Sequence, residues 1–115
     1  MVKVERRGAP RSDKDVAMKL KLGELDTVIH TLNISASGAY CKLDKEVPLM
    51  SRVKLVIILP EREGERRIEV TGVVVREHPV VVNGKTQHYD LAIFFEDISQ
   101  KDREAIDSYV SKKNG

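Results

Sequence analysis

The chain of 115 residues has no tryptophan, three tyrosines and two phenylalanines. So few aromatics exclude the interleaved basic and aromatic surface that general single-strand nucleic-acid binders use. It has one cysteine, Cys41, which leaves no internal disulfide framework, and no apolar run long enough for a membrane span. Charge of one sign is also missing: 20 Lys and Arg against 18 Asp and Glu give a net charge of +2. That balance does not fit a protein that coats long nucleic acid by electrostatics alone, so any anion site has to be local. The sequence shows no secretory leader. A reducing, cytoplasmic setting is the expectation, without membrane insertion. The length allows one domain with a single core and leaves no room for a separate substrate domain.

Residues 1–14 are polar and basic, with Gly8, Pro10 and Ser12, and read as a flexible arm ahead of the first strand. From Val16 the apolar residues alternate through Met18, Leu20 and Leu22, and the chain turns at Gly23-Glu24 into a run that ends at Asn33–Ser35. In that run Val28, Leu32 and Ile34 are expected to point into the core, leaving Asn33 and Ser35 together on the opposite face. Ala39, Cys41 and Leu43 mark a short third strand, with the thiol directed inward as a small hydrophobe. Val53–Leu59 is a strongly apolar run closed by Pro60, and residues 61–66 form a charged turn around Gly64. In the strand over Arg67–Arg76, Ile68 and Val70 share one phase and Val73 and Val75 the other, which makes Gly72 a candidate bulge. Asn83-Gly84 signals a hairpin between Val80–Val82 and the run from Gln87 to Phe95.

The tail changes period. Ser99 is placed to cap a helix starting at Gln100, with Asp102 in the first turn, Lys112 and Lys113 in the last, and Ile98, Ala105, Ile106, Tyr109 and Val110 in one apolar stripe. The pattern predicts an all-β fold, a small six-stranded antiparallel barrel over residues 15–98, with a packed C-terminal α-helix over 99–113.

Two segments carry the chemistry. Arg6, Arg7 and Arg11 cluster around Gly8 and Pro10, which break any helix and make the segment a loop able to wrap its guanidinium groups around a ligand. Guanidinium offers a planar fork of donors for phosphate or for the O6/N7 edge of guanine, a geometry that lysine lacks. The second segment, Asn33-Ile34-Ser35-Ala36-Ser37-Gly38, puts an amide and a hydroxyl side by side. Gly38 fits either a positive φ or a close backbone approach, by a ligand or by another strand. Taken alone, the arginines read as a solvated basic arm and Asn33–Gly38 as a turn satisfying its own backbone. Together they favour a site for an anionic nucleotide.

At these residues the chain resembles the PilZ family, whose paired motifs RxxxR and [D/N]xSxxG appear here as Arg7-Gly-Ala-Pro-Arg11 and Asn33-Ile-Ser35-Ala-Ser-Gly38. The resemblance implies a split β-barrel with a C-terminal helix and a bacterial second-messenger receptor for cyclic di-GMP, with no reaction and no cofactor. It implies ligand contacts at Arg6, Arg7, Arg11, Asn33, Ser35 and Gly38. A mobile arm that orders on the nucleotide would present a new surface to a downstream effector protein, with one nucleotide or a stacked pair bound and a homodimer possible. Two other classes compete: a barrel of the same fold that binds protein and ignores the nucleotide, and a general oligonucleotide-binding barrel. Retention of the arginines counts against the first, and the sparse aromatics and balanced charge against the second. Ser35 with Asp26 and His30 lacks a strained nucleophile elbow or an oxyanion turn, which argues against a hydrolase. His30, His78 and His88 lack metal-ligand spacing. Tyr40 could stack on a base, but an exposed strand tyrosine is ordinary and it is not assigned to the site.

Overall fold

A computed structural model of the chain describes residues 16–114. Six strands, β1 (Ala17–Leu22), β2 (Leu25–Ser35), β3 (Gly38–Leu43), β4 (Arg52–Glu61), β5 (Gly64–Val82) and β6 (Lys85–Phe95), precede one helix, α1 (Gln100–Asn114). The strands close into a barrel in the order β1-β2-β3-β6-β5-β4, every pairing antiparallel. The expected six-stranded barrel with a C-terminal helix is the observed architecture. The expected boundary at residue 14 lies outside the described residues.

The alternation read in β1 and β3 is the one that packs. Met18 and Leu20 of β1, with Ala39, Cys41 and Leu43 of β3, fill the interior beside Val53, Leu55, Ile57 and Leu59 of β4. Asn83-Gly84 forms the β5–β6 hairpin with both residues at positive φ, 52° and 78°, which matches the right-handed twist of the flanking strands. Ser99 caps α1, its Oγ accepting from Asp102 N–H at 3.1 Å, and Ile106, Tyr109 and Val110 press the helix onto the barrel.

Two expectations fail, both at bulges. In β2, Thr31 faces Cys41 while Asn33 faces Tyr40, so Leu32 is an extra residue and the inward phase jumps. Ile29, Thr31 and Ile34 therefore point inward, and Val28 and Leu32 stand outside at 55% and 41% exposure. In β5 the extra residue is Val75, between Val74 opposite Ile93 and Arg76 opposite Ala92, and not Gly72. A Cβ at Gly72 would lie 2.5 Å from Ile93 Cγ2 and 2.8 Å from Leu55 Cδ1, so that glycine makes room for core side chains. Beyond the bulge β5 runs on to Val82, its pairing with β6 shifting register once more between Val80 and Val81, and Met50 N–H donates to the Val74 carbonyl and Val47 N–H to Glu77 to cover part of its edge.

Candidate functional site

The second motif occupies the end of β2, a two-residue turn and the first residue of β3. Ile34 alternates into the core, which sets Asn33 and Ser35 in the opposite phase. Asn33 is half-buried. Ser35 is fully buried, and its Oγ accepts from Ser37 N–H at 3.2 Å and pairs with Ser37 Oγ at 3.0 Å. In this form Ser35 is committed to the turn. Phe95 N–H donates to the Ser37 carbonyl at 2.9 Å, locking the turn to the end of β6.

Gly38 resolves the choice between a positive φ and a close approach. Its φ is not in the left-handed region, but a Cβ there would lie 2.3 Å from the carbonyl oxygen of Ile93. The approaching group is the backbone of β6, opposite which Gly38 pairs with Phe94. Asn33 and Gly38 are thus held on a rigid corner where β2, β3 and β6 meet.

Arg6, Arg7 and Arg11 lie outside the described residues. The first described residue, Val16, is fastened beside the motif: Thr31 N–H donates to the Val16 carbonyl at 3.0 Å, and Val16 N–H donates to Thr31 Oγ1 at 3.2 Å. The arginine-bearing segment is therefore joined to the barrel two residues from Asn33 along β2.

Cys41 sits inside the barrel. Burial, and secondarily the charge of Asp90, push its thiol up from 9.0 to about 12, so it is an inert core group. Among the described residues no three His, Cys, Asp or Glu side chains are grouped to hold a metal ion, and His88 Nε2 instead meets Asp90 Oδ1 at 3.1 Å. No helix among the described residues is long and apolar enough to cross a membrane. A groove of about 1010 Å³ runs between the β4–β5 hairpin and α1, walled by charges of both signs that include Glu61, Arg66, Lys101 and Glu104. Arg66 bridges Glu61 at 2.8 Å and Asp102 at 3.5 Å along it, and its hydrogen bond to Glu61 raises its pKa.

Barrel, packed helix and polar turn define a small β-barrel domain. The PilZ domain model matches residues 5–112, and the chain belongs to the PilZ domain family. The Bacillus subtilis inhibitor of motility, MotI/DgrA, superposes with a TM-score of 0.81 at 25% identity, over 96% of this chain and 52% of its own length. MrkH of K. pneumonia in its c-di-GMP complex gives 0.70 at 18% identity, over 95% and 52%. The PilZ domain of YcgR from Escherichia coli with c-di-GMP gives 0.68 at 14% identity, over 96% and 92%. This chain spans about half the length of MotI and MrkH. No curated protein matches the sequence.

Proposed function

We propose that this chain is a cyclic di-GMP receptor, with Arg6, Arg7 and Arg11 gripping the nucleotide against the corner that carries Asn33, Ser35 and Gly38. The observation that carries the reading is the family match over residues 5–112, in a chain that holds both Arg7-to-Arg11 and Asn33-to-Gly38 at motif spacing. Two PilZ-fold neighbours, MrkH and YcgR, have been solved with c-di-GMP.

The geometry supports this reading. Arg11 is five residues before Val16, so its Cα lies within roughly 18 Å of a residue fastened to Thr31. That span covers Asn33, two residues along β2 from Thr31. Two phosphates and two guanines give arginine forks both charge and paired acceptors to hold. Asn33 offers an amide from the barrel surface, Ser35 sets the turn that positions it, and Gly38 lets β3 close on β6. Ordering of the arm on the ligand creates the surface that a downstream protein reads, and affinity includes the cost of that ordering. The domain binds and transmits without a reaction, in a cytoplasmic setting.

Calorimetric titration of the unmodified chain beside Arg7→Ala and Arg11→Ala tests the site. Each substitution is expected to weaken binding by roughly 1–3 kcal/mol, the range for a bidentate guanine contact. Arg→Lys keeps the charge, loses the fork and should also weaken it. Undiminished binding in both alanine variants overturns the assignment.

A further inference from the structure

Only two of the chain's five aromatic residues are substantially exposed, and both lie beside the motif. Tyr109 and Phe95 are buried and Tyr89 packs against the core, whereas Tyr40 and Phe94 are 42% and 49% exposed. The pairing registers place them. Asn33 of β2 faces Tyr40 of β3, Tyr40 faces Ala92 of β6, and Ala92 faces Arg76 of β5. In the neighbouring row Gly38 faces Phe94. Tyr40 and Phe94 are thus diagonal neighbours on one outer face, within reach of each other's rings. The residues beside them, Ala92 and Gly38, are small, so the rings rise from a low floor.

Arg76 closes the row at its far end. It is exposed, and the arginine ion pairs among the described residues join Arg52 to Glu96 and Arg66 to Glu61 and Asp102, leaving Arg76 out. The Val75 bulge puts it there. Without the extra residue in β5, Val75 would face Ala92 and the outer row would end in an aliphatic side chain. From Asn33 to Arg76 the row crosses three strand spacings, about 14 Å.

Resting on the receptor reading above, we infer that this outer face of β3, β6 and β5 holds a guanine of the ligand, stacked on Tyr40 beside Phe94 with Arg76 forked onto its O6/N7 edge. The pattern of donors and acceptors selects the occupant. A guanidinium donates to both acceptors of guanine, whereas adenine offers a donor at N6 in place of O6. Aromatic faces accept any base, so Tyr40 contributes affinity and Arg76 the choice of guanine. The face continues from Asn33 without a break, so one nucleotide reaches both.

Calorimetry with cyclic di-GMP and cyclic di-AMP on the unmodified chain, Tyr40→Ala, Tyr40→Phe and Arg76→Ala tests this, with melting of each ligand-free variant as the folding control. Tyr40→Ala should lose about tenfold in affinity or more, Tyr40→Phe should bind as the parent does, and Arg76→Ala should lose part of the preference for guanine over adenine, the arm arginines keeping the rest. Because the chain lacks tryptophan, tyrosine emission is a second readout: ligand should quench it in the parent and much less in Tyr40→Phe. If the parent binds cyclic di-GMP and both alanine variants match its affinity and selectivity, the stacking face is refuted and the receptor reading stands. If the parent binds no cyclic di-GMP, both fall.

Discussion

Gly38→Ala separates two roles for a motif glycine, close packing of strands and close approach of a ligand. The new Cβ would meet the Ile93 carbonyl oxygen at 2.3 Å, with Ile93 C at 3.3 Å and Phe94 Cα at 3.4 Å. All three are backbone atoms in the β3–β6 ladder, and no side chain can swing aside. Relief requires β3 to retreat by about 1 Å, which stretches ladder hydrogen bonds past useful geometry. Overpacking costs about 1–3 kcal/mol and each weakened ladder bond about 1 more, so the total is roughly 2–4 kcal/mol. In a domain of this size that lowers the melting temperature by roughly 10–20 °C. Gly23→Ala is the control: its φ of 57° strains alanine, but nothing lies within 4 Å of the added Cβ, and the cost is about 1 kcal/mol. Urea unfolding of both variants without ligand is the assay. A Gly38→Ala protein within about 0.5 kcal/mol of the parent would refute the packing argument.

Ser35→Ala leaves the Ser37 N–H without its buried acceptor and should cost about 1–2 kcal/mol in urea unfolding, even before any ligand is added. Ser99→Ala removes the helix cap and should cost about 1 kcal/mol, with amide exchange faster in the first turn of α1. Cys41 should resist a thiol reagent at pH 8 in the folded protein and react at once in denaturant. Its raised pKa favours the folded state up to about pH 9, where the unfolded thiol starts to lose its proton. That contribution then declines as pH rises toward 12, so the melting temperature should fall over the same window.

Local chemistry was legible wherever it acts along one stretch of chain. The Asn83-Gly84 turn, the Ser99 cap, the apolar stripe of α1 and the alternation in β1 and β3 all depend on neighbours a few residues apart. What could not be read is set by pairing between strands. One strand's alternation does not announce the extra residue at Leu32 or at Val75, because a bulge exists only relative to the partner's count of residues. Those two bulges turn Val28 and Leu32 outward and bring Arg76 opposite Ala92. At the motif, spacing alone put Asn33 and Ser35 on one face. It could not show that Ser35 is sealed into the turn, or that the group crowding Gly38 is the β6 backbone. Tyr40 looked ordinary for the same reason. Phe94, 54 positions on in the sequence, is brought alongside it only by the β3–β6 register.

The receptor claim is tested most directly by titrating the unmodified chain with cyclic di-GMP, GMP and cyclic di-AMP at physiological salt, reading heat and thermal stabilisation together. Saturable binding of cyclic di-GMP at micromolar concentration or tighter is expected, with a rise in melting temperature that grows with ligand, and weak or no response to the other two. No heat and no stabilisation with cyclic di-GMP would contradict it and return the chain to the alternative of a PilZ-fold module that binds protein alone.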